Sequence, residues 1–81
     1  MRMLIQGEVV RVRKCGYSEW TRGVVELVSP NGKSVALAIE QFIPARDGFV
    51  GGVLPLLIDY ENERIEGLDD TEYEIEVMSA A

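Results

Sequence analysis

Between positions 11 and 22 the chain places Arg11, Arg13, Lys14 and Arg22 around Tyr17 and Trp20. Cations interleaved with aromatic rings neutralise phosphates and stack bases, so this is the pattern of a nucleic-acid surface. The remainder of the chain opposes that use, because the net charge is −6 and a polyanion is repelled by unsegregated carboxylates. Nucleic acid is therefore the alternative and not the expected partner. The same residues also have structural work to do: a Trp at the head of a strand packs into a core or its rim, and strand arginines guard an exposed edge.

Other chemistry is weakly represented. With no His, the commonest general base and metal ligand are missing, and a Ser nucleophile at Ser18 or Ser34 has no base at a recognisable spacing. Cys15 lies beside Lys14 and Gly16, where a positive neighbour can lower a thiol pKa, but the expectation is an incidental loop thiol. One cysteine allows no intramolecular disulfide. Asp59, Glu61 and Glu63 keep the one-three-five spacing of a calcium loop, but Arg64 stands where such a loop turns on Gly. Asp69, Asp70 and Glu72 read as turn and strand-edge residues. The expectation is a protein without catalytic machinery, cofactor or metal.

The second group of candidate residues is apolar. Val53 to Tyr60 carries Leu54, Leu56, Leu57 and Ile58, which makes it hydrophobic on both faces, and Gly48 to Gly52 just before it adds Phe49 and Val50. A small barrel hides one face of each strand, so a second apolar face needs cover. Phe49, Val50, Val53 and Leu57 are the candidate interaction surface, with a two-fold dimer as the expected form.

These residues need strands to position them. Thr71 to Met78 alternates Glu72, Glu74 and Glu76 with Tyr73, Ile75 and Val77, a period of two that predicts a half-buried strand. Ser29-Pro30-Asn31-Gly32 between Val24–Val28 and Ser34–Ile39 predicts a β-hairpin. On its second arm Val35, Leu37 and Ile39 share one face, and Ala36 and Ala38 leave little bulk on the other. Glu8 to Lys14 sets Val10 and Val12 opposite Arg11 and Arg13, with a bulge expected near Val9 and Val10. Pro55 complicates an otherwise central strand, since it cannot donate to a ladder. Glu61-Asn62-Glu63 turns into a short Arg64 to Leu68 arm. Cys15 to Glu19 and Ile43 to Gly52 lack periodicity and read as the two long loops.

Short strands at about ten-residue spacing predict an all-β domain, a five- to six-stranded antiparallel barrel, with an OB-like barrel or small sandwich as alternatives. Gly7-Glu8-Val9-Val10 followed by Gly23-Val24-Val25 resembles the opening of SH3-like barrels, over about a quarter of the chain. One domain spans residues 1–81: with 47% hydrophobic and 27% charged residues the chain has one core's worth of apolar side chains and is far from the composition of disorder. Met1 to Gly7 holds no apolar run suited to a leader or a membrane span, so a cytoplasmic location is expected. Charge divides unevenly, six cations against three carboxylates up to residue 33 and two against eleven beyond it, and such a dipolar chain can attract its own kind. The expected function is a non-catalytic binding or assembly module. A ligand or enzymatic site formed between subunits is the remaining alternative.

Overall fold

Alternating side chains dictate the architecture. In the computed structural model, which describes residues 1–79, the strands are β1 (Val9–Lys14), β2 (Thr21–Val28), β3 (Ser34–Ala45), β4 (Gly48–Asp59), β5 (Arg64–Gly67) and β6 (Glu72–Ser79). Each pairs antiparallel with the next, and β6 returns to β1 to close a barrel rather than a sandwich. Every second residue points inward: Val10 and Val12 from β1, Val25 from β2, Val35, Leu37 and Ile39 from β3, Leu54, Leu56 and Ile58 from β4. Ile65 of β5 and Tyr73 of β6 complete the wall. β1 shifts register against β6 between Val9 and Val10, where a bulge is expected, but the extra residue is Met78 of β6 and not a residue of β1.

Local chemistry sets the turns. Between β2 and β3, Gly32 takes a φ of 74°, and the Asn31 side chain accepts the Lys33 N–H at 2.9 Å. Pro55 sits on β4 one residue before the strand gains its second neighbour, because β5 pairs only from Leu56 onward. Its missing N–H is tolerated there.

Ile43 to Gly52 is not a loop. Ile43, Pro44 and Ala45 pair with Val50, Phe49 and Gly48, so β3 and β4 run on as one long hairpin that turns tightly at Arg46 and Asp47. Alternation is interrupted because β3 places three residues, Glu40, Gln41 and Phe42, between its paired Ile39 and Ile43, where β4 places Gly51 alone. The hairpin tip folds across one end of the barrel, where Ile43 is buried and Val50 packs on the core. Tyr73 Oη donates to the Pro44 carbonyl at 3.0 Å, and the Arg46 N–H donates to the Asp69 carboxylate at 2.9 Å, which pins the tip.

Within the bulge, the Phe42 ring lies on Gly51, where a Cβ would come within 2.5 Å of it. Phe42 is otherwise exposed and free to swing aside. Gly51→Ala is therefore expected to cost about 1 kcal/mol while displacing the ring. Loss of the upfield ring-current shift at residue 51, measured by NMR, checks it.

The opposite end is closed by the N-terminal segment. Leu4 is buried, and the Glu8 carboxylate, with no exposed surface, accepts two bonds from the Arg2 guanidinium and one from the Ile5 N–H. Bonds from Arg2 hold the Glu8 carboxyl below its ordinary value of 4.5, assisted by Ile5 and opposed by burial. The backbone N–H of Arg46, with Thr71, draws Asp69 down to about 2. Carboxylates depressed in the fold stabilise it above their unfolded pKa values, and that contribution disappears as pH falls through the folded ones. The melting temperature is expected to be level from about pH 7 to 5 and to fall between about pH 4.5 and 2. Thermal melts by circular dichroism across that range check it, and a rise on acidification would contradict it.

Candidate functional site

The basic-aromatic cluster is built by β1, β2 and the segment of residues 15–20 between them. Arg11 and Arg13 stand on one face of β1, and both guanidinium carbons lie 4.3 Å from the centroid of the Trp20 ring. Directly opposite in the β1–β6 register are Glu76 and Glu74. Arg11 donates through Nε to Glu76 at 2.9 Å, and Arg13 through Nε and Nη2 to Glu74 at 3.0 and 2.9 Å. Arg22 faces Glu40 at 3.7 Å. Lys14 lies 5.3 Å from the Tyr17 centroid and donates to the Ala45 carbonyl at 3.4 Å. The sequence cluster is thus brought together, but its cations already have carboxylate, carbonyl and ring partners.

Partial burial and the neighbouring Glu74 and Glu72 raise the Cys15 thiol pKa, outweighing the lowering by Arg13, so the group is a protonated thiol at neutral pH. At the Asp59 turn the carboxylate accepts the N–H groups of Glu61 and Asn62 at 3.1 and 3.2 Å and the Asn62 amide at 2.8 Å. These bonds occupy the oxygens that a calcium loop would offer. Among the described residues no three acidic, Cys or His side chains converge to hold a metal, and no helix is long and apolar enough to cross a membrane.

The candidate apolar residues separate into two places. Val53 and Leu57 face outward on β4, each about half exposed. Register sets Val53 beside Ala38, Ala38 beside Val24 and Val24 beside Val9, an apolar row across four strands. A second row runs from Leu27 through Ala36 to Pro55. Leu57 ends the patch between Ser34 and Glu66. The chain matches no family model, no curated protein and no solved structure. Any functional reading therefore rests on this geometry.

Phe49 and Val50 lie beyond the bulge. Val50 turns inward onto the core, whereas Phe49, 72% exposed, lines a groove of about 360 Å³ with Tyr17, Phe42, Pro44 and Glu19. Phe42, Val24 and Leu27 were not among the sequence candidates. Val24 was legible as the outward side of the first hairpin arm, whereas Leu27 shares the parity of the buried Val25 and faces outward only because β2 shifts register between Val25 and Leu27. The role of Phe42 depends on the bulge, for which the local sequence has no periodic signal.

Proposed function

We propose that this protein is a non-catalytic assembly module that self-associates through the outward face of β2, β3 and β4. The observation that supports it is the pair of apolar rows centred on Ala36 and Ala38, flanked by Val24 and Leu27 on one side and Val53 and Leu57 on the other. Exposed apolar faces of this continuity are uncommon on soluble monomers.

A second copy suits the face for reasons of shape and charge. Small side chains at the centre allow two sheets to approach to about 10 Å, with the larger residues interlocking at the margins. A two-fold axis along β3 would lay β2 of each copy on β4 of the other. That arrangement brings the β1–β2 side, with Arg11, Arg13 and Arg22, toward the β4–β5 side of the second copy, with its Asp59 and Glu66. Light scattering at several concentrations tests the proposal: a dimeric mass at tens of micromolar is expected, and a monomeric mass there would overturn it.

A further inference from the structure

The groove beside the hairpin tip has a composition that the self-association face does not use. Tyr17, Phe42 and Phe49 contribute three ring systems, between 50% and 73% exposed, together with Ile43 and Pro44. Among the described residues Glu19 is the only charged one in its lining. Ile43 is buried, and the tip carrying Phe49 is held to the barrel by the Tyr73–Pro44, Arg46–Asp69 and Lys14–Ala45 bonds. Phe42 rests on Gly51. Phe42 and Phe49 are thus mounted on an anchored hairpin, and Tyr17 stands on the segment between β1 and β2, where its N–H donates to the Lys14 carbonyl at 3.0 Å.

Elsewhere the same molecule shows what such parts can hold. At Trp20 an aromatic face, a guanidinium and a carboxylate form one unit twice over, through Arg11 with Glu76 and Arg13 with Glu74. The groove repeats the ring and the carboxylate, and of its three rings Tyr17 alone has a resident cation, the Lys14 ammonium 5.3 Å from its centroid, among the described residues. Lys14 also donates to the Ala45 carbonyl at 3.4 Å and is not part of the lining, which leaves the Phe42 and Phe49 rings without a cation among the described residues. A volume of about 360 Å³ exceeds a single guanidinium, leaving room for the stem that carries it.

We propose that this groove receives the guanidinium of an arginine side chain presented by a partner polypeptide. A planar guanidinium stacks on ring faces while its edge donates to a carboxylate, which a compact, strongly hydrated ammonium does less well. The net charge of −6 adds a long-range attraction for such a peptide. The site is separate from the β2–β4 face, so its occupancy does not depend on self-association.

The test is an NMR titration of the full-length ¹⁵N-labelled protein with acetyl-Gly-Arg-Gly-amide and with the same peptide carrying citrulline, a neutral isostere. Saturable shifts centred on residues 17–19, 42–44 and 49 are expected with the arginine peptide, and binding about fivefold weaker with citrulline. Glu19→Gln is expected to weaken the arginine peptide severalfold and leave the citrulline peptide unchanged. Phe49→Ala weakens both. Equal binding of the two peptides, shifts centred elsewhere, or none that saturate would overturn the proposal. Retention of the shifts in Ala38→Glu separates this site from the self-association face.

Discussion

Leu37→Ala is expected to leave the protein largely unfolded in mild denaturant. Leu37 has no exposed surface and stands in the middle of β3, between Val25 of β2 and Leu54 of β4, all three buried. Truncating a fully buried Leu removes its transfer free energy and leaves a cavity, at about 2–5 kcal/mol. A closed barrel relaxes poorly around such a hole, because each wall strand is held on both sides, which favours the upper half of that range. An 81-residue domain has a total stability of about 4–12 kcal/mol. One substitution thus removes a large fraction of it. In urea, with a slope of about 1 kcal/mol/M for a domain of this size, the midpoint should fall by about 3 M. Leu68→Ala is the contrasting variant: Leu68 is 71% exposed in the β5–β6 turn, and its midpoint should move by less than about 0.5 M. Similar shifts for the two would mean that residue 37 does not sit in the core.

The barrel was legible because its signals are local. Ser29-Pro30-Asn31-Gly32 needs a positive φ only at Gly32, and the alternation of Val35, Leu37 and Ile39 states which side faces inward whatever the strand pairs with. Apolar character on both faces of Val53 to Ile58 was equally plain, since one side is core and the other belongs to the outward rows. The hairpin tip was not legible. Pro44, Gly48, Gly51 and Gly52 have the composition of a loop, and what makes strands of them is pairing across the turn and anchoring by Tyr73 and Asp69, which lie more than twenty residues away. Glu8 shares the parity of the buried Val10 and Val12, so its burial was visible in principle. Its partner Arg2 lies in a segment with no periodicity. The Arg11–Glu76 and Arg13–Glu74 pairs join residues separated by 65 and 61 positions and follow only from the β1–β6 register. Register across a whole chain is what single-strand patterns do not encode.

Ala38→Glu is expected to convert the proposed dimer to a monomer that keeps its fold. Ala38 lies between Val24 and Val53 at the centre of the outward face, half-buried in the isolated chain. In the monomer a Glu there can reach into water, so the far-ultraviolet spectrum and the core should be preserved. In the proposed face-to-face dimer the two-fold axis would bring position 38 of one copy toward its counterpart, and two carboxylates would meet in an apolar contact with no cation to offset them. Leaving such a charge buried and unpaired costs about 3 kcal/mol or more, which weakens association by about a hundredfold at least. Light scattering at tens of micromolar should then give half the parent mass, and the parent alone should show a melting temperature that rises with protein concentration. Phe49→Asp is the informative comparison, because Phe49 is as apolar and more exposed but lies on the groove beyond the bulge. If Phe49→Asp breaks the dimer and Ala38→Glu does not, the hairpin tip and not the β2–β4 face is where two copies meet. The face requires the reverse: loss of association at position 38 and little change at position 49.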